Sequence, residues 1–541
     1  MKKYFLSVLV ITFFISRIFS QNINTTLAAH LSYGTQHLSN IWGWKDPQDG
    51  KEYALVGAAN GLSIVDVSNP SAPFQVLQVP VDPSSMGCVW REVETWGNYA
   101  YITSECGKMG LQIVDLTNLP ATNLTVTKWT PKIGTDTLKT IHALHIANGK
   151  AYLYGGNFSG CTVADVNTSP MAPIYLGSYN AGGYIHDGQV RGDTMYAAHI
   201  LAGTVEIVNM SNPAAGVSLA SFQTPNVFPH NTWLSKDSKT CFATDEVNGS
   251  FLSAFDVSNL GNISETDRIQ SNPGDSSIVH NTYIVNKGGT DFAVTSWYKD
   301  GITITDASHP SNLIQVGNFD TSPDSGKGYG GCWGVYPFLP SGTLVLSDID
   351  SGLYVLSANY VRGCYLEGVI SDCSGANPIA NATVQIQSPG SNANSATDVT
   401  DILGKYGVGV LSPGTYTVTV SKTGFTTQTF TCTVTTGNTT IKNVQICPTG
   451  ASEIISEHKS TLVYPNPFFT STEIKILDVN NIKMEELQLK FFDVVGAEIQ
   501  PSVIRNTNSF SVHAGDLSPG MYFYKMLNGD RIISEGKLMV E

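Results

Sequence analysis

Charged residues are scarce: Asp, Glu, Lys and Arg make up 14% of the 541 residues, against roughly a quarter in an average soluble domain. Long solvent-facing helices are built from such residues, so their shortage argues against a helical protein. Basic residues are the scarcer sign, 30 Lys and Arg against 44 Asp and Glu, and the net charge of -14 repels phosphate backbones and anionic lipid. That leaves no case for a nucleic-acid partner. Long apolar runs are lacking beyond the first twenty residues, which removes any transmembrane helix from the mature chain. No HExxH, GxSxG or GxxxxGK[ST] occurs, so no catalytic signature selects a reaction and no catalytic residue is named. Glycine (51 residues), aromatics (10%) and a 42% hydrophobic fraction are what the chain does have. They point to an all-β chain with enough apolar material for packed cores, and the length suits three to four domains.

At the N-terminus Lys2 and Lys3 precede an apolar run from Tyr4 to Ile15, with Ser20 before polar Gln21. This pattern predicts a secretory signal peptide over residues 1–20. Export would put the nine cysteines where disulfides persist, and an odd number leaves at least one unpaired or intermolecular.

One pattern recurs: GLSIVDVSNP from Gly61, GLQIVDLTNLP from Gly110, GCTVADVNTSP from Gly160, GTVEIVNMSNP from Gly203, SFLSAFDVSNL from Ser250, GITITDASHP from Gly301 and GLYVLSANY from Gly352. Each copy follows two short β-patterned runs and precedes a third, giving four strands per copy, and a period of roughly 40 to 50 residues fits the blades of a propeller. Seven blades over residues 21–360 are therefore expected. The last copy is one strand short, and TTLAAHLSYG at Thr25–Gly34 has the texture of the missing fourth strand, so the N-terminal segment is expected to close the ring and cover its open edge.

After Tyr360 the strands shorten, and Thr, Val and Gly dominate. In TYTVTVS the alternation puts Tyr416, Val418 and Val420 on one face, as in a small β-sandwich. Residues 361–448 resemble the carboxypeptidase-regulatory-like modules of secreted bacterial proteins. Their cysteines, Cys364, Cys373, Cys432 and Cys447, allow three pairings. A linker is expected at 449–460 and a second sandwich at 461–541. There YPNPF, a mid-domain V-G turn and LSPGMYFYK resemble the type A sorting domain of Bacteroidetes proteins exported by the type IX secretion system. That resemblance implies the type IX machinery as a partner and an extracellular or outer-membrane-surface address. IWGWKDPQDGKEYALVGAANGLSIVDVSNP, FPHNTWLSKD, IVHNTYIV and GCWGVYPFLPSGTLVLSDIDSGLYVL resemble the LVIVD-repeat, choice-of-anchor B family. The resemblance implies fold and surface attachment and brings no activity.

Aligning the first strand of each copy places Trp42, Trp90, His142, His186, His230, His280 and Trp333 at one position, expected to ring one mouth of the central channel, with Arg91 beside them. A second register, Glu105, His199, Asp245, Trp297 and Asp348, lies in loops that open on the same face. Imidazoles and carboxylates converging there suit a divalent metal, with His186, His199, His230, Asp245 and His280 as candidate ligands. The plainer reading makes the histidines blade-packing residues that donate to neighbouring carbonyls. Arg191-Gly192-Asp193 reads as a hairpin turn, and Cys88 with Cys106 is the pairing expected within one blade. The favoured function is binding of a glycan, protein or metal ligand at a His- and Trp-lined mouth. Two alternatives stand beside it. One is a metal-dependent hydrolase or lyase acting on extracellular carbohydrate, with His230 or His280 as general base, Asp245 orienting it and Arg91 neutralising an anionic substrate. The other is a structural adhesin.

Overall fold

In the computed structural model, which describes residues 22–272, 276–388, 395–449, 461–477, 484–515, 517–529 and 531–541, every four-stranded sheet of the repeat region is antiparallel, and consecutive strands neighbour one another. The signal peptide and most of the linker expected from the sequence lie outside the described residues. The first strands of blades 1 to 7 are Leu38–Lys45, Val93–Trp96, Ala143–Ala147, Asp187–Arg191, Pro229–Leu234, Val279–Lys287 and Cys332–Tyr336. They touch in a closed cycle, the last against the first, so they surround the axis of a seven-bladed propeller.

The repeated residues explain themselves in the blade. Glycine opens the third strand because a Cβ there would meet a carbonyl of the fourth: 2.0 Å from Val79 O at Gly61, 2.5 Å from Trp129 O at Gly110, 2.2 Å from Tyr179 O at Gly160 and 2.0 Å from Phe319 O at Gly301. The Asp or Asn closing that strand folds back on the backbone two residues on. Asp66, Asp115, Asp165, Asn209, Asp256 and Asp306 each accept the amide of residue i+2 at 2.8–3.1 Å, an Asx turn into the outer strand.

Blade 7 is completed by the N-terminal strand Thr25–Leu31, paired antiparallel with Gly352–Ala358. The close approach recurs there, a Cβ on Gly352 meeting Leu31 O at 2.4 Å. The N-terminal strand thus sits where a fourth strand sits in the other blades, and it covers the free edge of Gly352–Ala358.

The following sandwich packs two sheets, one built on Cys364–Ser371 and the other on Thr383–Gln387, Gly414–Ser421 and their partners, around Leu366, Ile370, Val384, Ile386, Tyr416, Val418 and Val420. Strand alternation at its start serves two cores. Cys364 and Leu366 face the sandwich, while Tyr365 joins the propeller cluster of Phe292, Ile314 and Val316. Propeller and sandwich form one compact unit to Ile446, and Cys447–Glu541 forms another. Within the second, two four-stranded sheets enclose Phe468, Ile474, Phe491, Val512, Tyr524, Met526 and Leu538.

Cys88 and Cys106 are joined in a disulfide with a Cα separation of 5.9 Å. Cys161, Cys241, Cys332, Cys364 and Cys432 are buried free thiols.

Candidate functional site

The first strand of several blades carries a β-bulge at its start. Pairing slips between Pro229 and Asn231, between Val279 and Thr282, between Cys332 and Gly334, and between Leu38 and Ile41. The slips enclose His230, Trp333, the pair His280 and Asn281, and the pair Ser39 and Asn40, and an extra residue at a bulge re-aims its side chain. The pairing therefore corrects the sequence alignment in blade 1. Ser39 is the counterpart of the histidines, and Trp42 lies three residues further on, against Tyr283 and Tyr336. Blade 2 differs again. Glu105 N donates to Trp90 O as Glu246 N donates to Phe228 O, yet three residues separate Trp90 from Val93 where four separate Phe228 from Thr232. With one residue fewer, blade 2 has no bulge. Trp90 stays at the rim, 47% exposed, and Arg91 turns away from the mouth. Its fully buried guanidinium donates to the carbonyls of Ala58, Ala59 and Ser85, and burial lowers its pKa to about 10. Enclosed in this way, Arg91 is not available to a ligand.

The four histidines form a continuous arc across blades 3 to 6. Ring centroids are 3.9 Å apart from His142 to His186, 4.3 Å from His186 to His230 and 4.1 Å from His230 to His280. Trp333 closes the arc edge-on at 5.1 Å from His280. A cavity of about 50 Å³ lies against them, lined also by Trp90, Glu92, Asp187 and Glu246. His186, His230 and His280 are buried, and their Nδ1 atoms have no hydrogen-bond partner. Burial, reinforced by the neighbouring imidazoles, pushes the pKa of His186 and His230 well below the usual histidine range and that of His280 down to about 3. Burial therefore disfavours the charged form of all three rings, and a neutral imidazole offers the lone pair of one ring nitrogen.

Carboxylates stand at both ends of the arc. Glu105 Oε2 accepts from His142 Nδ1 at 2.8 Å and Oε1 from the Tyr184 hydroxyl at 3.1 Å, and the bond from His142 leads the interactions that lower its pKa. Glu246 Oε1 accepts the Tyr298 hydroxyl at 2.7 Å. His280 Nε2 lies 3.8 Å from that oxygen, and His230 Nε2 lies 3.9 Å from Oε2. Burial raises the Glu246 pKa to about 7 against the pull of Tyr298 and His142. A layer deeper, burial raises Glu92 well above the carboxylate range and Asp187 to about 6.

Of the residues aligned with the second register, the structure brings only Glu105 to the arc. His199 bonds through Nε2 to Glu206 at 3.0 Å, out of reach of the cavity. Asp245 is spent on its own loop, accepting from Thr224 Oγ1 at 2.5 Å, Asn226 N at 2.8 Å and Phe228 N at 2.9 Å. Trp297 and Asp348 are likewise engaged, with Thr303 and Thr321. The residues one place on, Glu246 and Tyr298, which follow the ends of the strands Thr240–Asp245 and Thr290–Trp297, stand beside the arc. Glu246 and Asp187 escaped the sequence reading, although Asp187 follows an arc histidine directly and Glu246 follows Asp245.

Family models match three parts of the chain. The LVIVD repeat matches residues 51–80, 90–127 and 292–321, and the carboxypeptidase regulatory-like domain matches 365–446. The secretion system C-terminal sorting domain matches 462–541. The chain carries LVIVD repeats and a type IX sorting tail. Such a tail marks a protein handed to the secretion machinery and delivered to the cell surface or the extracellular space. Among the described residues no helix is long and apolar enough to cross a membrane. No curated protein matches the sequence. Among solved structures the β-propeller domain of Cps50 (Swd1) from Myceliophteria thermophila is similar at 10% identity and a TM-score of 0.42, over 62% of this chain and all of that one.

Proposed function

We propose that this LVIVD-repeat propeller is a cell-surface binding protein that takes its ligand at the histidine arc. The observation that carries this reading is the convergence of four imidazoles and Glu246 on one cavity, with ligand-capable atoms of His186, His230 and Glu246 within 4.8 Å of one another. Most buried histidines satisfy both nitrogens, because an orphaned buried polar atom costs ~1–3 kcal/mol, although Nδ1 of His199, away from the cavity, is orphaned as well. His145 of the same propeller follows that rule, with Nδ1 on Glu94 at 3.1 Å and Nε2 on Val190 O at 3.3 Å. A volume of about 50 Å³ holds one or two waters, each filling about 30 Å³ of liquid, so the ligand is small or presents a small group at the mouth.

Trp90 and Trp333 flank the cavity, so occupancy is expected to change tryptophan emission. The full chain is titrated with divalent cations, neutral and acidic oligosaccharides and short peptides, beside a His230→Ala/His280→Ala variant checked for folding by circular dichroism. One class is expected to change the emission of the native protein saturably and to lose at least tenfold in affinity in the variant. Equal responses from both proteins across the panel, or none from either, would favour the adhesin reading, in which the arc only packs.

A further inference from the structure

The geometry points to a metal centre at this mouth: we propose that His186, His230 and Glu246 bind one borderline divalent cation of the zinc, nickel or copper class. The proposal rests on the reading of the arc as a binding site and narrows it to one ligand chemistry. Ligand-capable atoms of these three side chains lie within 4.8 Å of one another. A tetrahedral ion with bonds of about 2.1 Å needs its donors roughly 3.4 Å apart. The His230 Nε2 to Glu246 Oε2 distance of 3.9 Å is therefore within about half an ångström of closing on an ion. Two imidazoles and one carboxylate select a nitrogen-preferring ion over calcium or magnesium, which take six or more oxygens.

The surroundings orient Glu246 for this task. The Tyr298 hydroxyl occupies Oε1 at 2.7 Å, with His280 Nε2 3.8 Å from the same oxygen, which leaves Oε2 on the His230 side. An outer donor that fixes one carboxylate oxygen is a common companion of a metal ligand. His186 and His230 are 8% and 5% exposed and line the cavity, and neither Nδ1 has a carboxylate partner such as Glu94 provides for His145. A further buried His–carboxylate pair, His199 with Glu206, is 3.0 Å apart and also holds the Tyr179 hydroxyl at 2.9 Å, so its carboxylate is already engaged. Three protein donors leave the cation a coordination position for an exchangeable group, which is the arrangement of a binding or reactive metal, whereas a purely structural zinc is closed by four protein ligands.

The test uses the full chain, stripped with a chelator, dialysed, and titrated with Zn(II) followed by calorimetry and with Co(II) followed by visible absorption. One equivalent is expected, with Co(II) bands in the intensity range of four- or five-coordination. Glu246→Gln and His230→Gln are each expected to weaken binding by 100-fold or more, and Tyr298→Phe by about tenfold. His199→Gln is expected to bind like the native protein. Circular dichroism melts show which variants are folded, and the near-isosteric Glu246→Gln keeps the test decisive should His230→Gln unfold. Absence of a stoichiometric site, or a site indifferent to both Glu246→Gln and His230→Gln, overturns the proposal. If the metal titrations fail while an oligosaccharide or peptide still quenches the native emission and not that of the His230→Ala/His280→Ala variant, the metal assignment is wrong and the binding-site reading stands.

Discussion

Arg91 shows how far one residue's chemistry depends on the backbone that presents it. Beside Trp90 in the sequence it looks like a cation waiting for an anionic ligand. In the fold it is a clamp, its guanidinium donating to three carbonyls from two segments of the chain. Arg91→Met keeps much of the buried volume but takes one donor from each of those acceptors, of which Ala59 O and Ser85 O keep Gly87 N and Cys88 N, so a loss on the order of 1–3 kcal/mol is expected, at roughly 0.5–1.5 kcal/mol per hydrogen bond lost. Urea unfolding followed by tryptophan emission measures it, and a midpoint within error of the native protein's would refute the clamp. The histidines teach the converse. His145 and His186 have similar burial, and sequence context does not separate a satisfied core histidine from one with a free nitrogen. The hydrogen-bond inventory of each ring does. Glu246 was missed for a related reason, since Asp245 and Glu246 are adjacent acids and only the strand register decides which one reaches the arc.

At the scale of the element, the bulge builds the mouth. Asn231 follows His230 in the first strand of blade 5, and its side chain ties three blades together. Nδ2 donates to Asp187 Oδ2 of blade 4 at 2.7 Å, and Oδ1 accepts Thr282 N of blade 6 at 3.1 Å. The bond to Thr282 is buried and that to Asp187 partly so, and Asn231→Ala is expected to cost about 2–3 kcal/mol. It should also loosen the spacing between His186, His230 and His280, weakening any ligand of the arc. Thermal melts and the titrations above check the two effects, and a stable variant with native affinity would show that the bulge holds its shape without Asn231. Much of this level was legible in the sequence. The seven copies, their four strands and the closing N-terminal strand follow from glycine and Asx positions that recur because the blade requires them at fixed points. Bulges leave no such mark. A one-residue insertion in blade 5 and its lack in blade 2 look alike as short apolar stretches, which is why Trp42 and Trp90 were aligned with histidines they do not match.

For the whole molecule, the question is whether the sandwich that follows the propeller is a separate bead or part of the same cooperative body. The contacts argue for one body. Gly363 N donates to Asp306 Oδ2 at 2.9 Å, so the residue that makes the Asx turn of blade 6 also holds the entry to the sandwich. His309 stacks on Tyr365 at 4.2 Å and 19°, Asn312 Nδ2 donates to Glu367 Oε1 at 3.2 Å, and the Tyr365 ring is fully buried in a propeller core cluster. Removing that ring leaves a void charged to both domains at once, and aromatic-to-alanine changes in cores cost roughly 3–5 kcal/mol. The chain supplies its own reporter, because all eight tryptophans fall between Trp42 and Trp333 and none lies in the sandwich or the sorting domain. Tyr365→Ala, a change within the first strand of the sandwich, is therefore expected to lower the tryptophan-detected midpoint of the propeller by several degrees. Calorimetry should show propeller and sandwich melting together in the native protein. If instead the tryptophan midpoint stays put while a separate calorimetric transition moves, the junction transmits no stability, and the sandwich is a spacer tethered to an independent propeller.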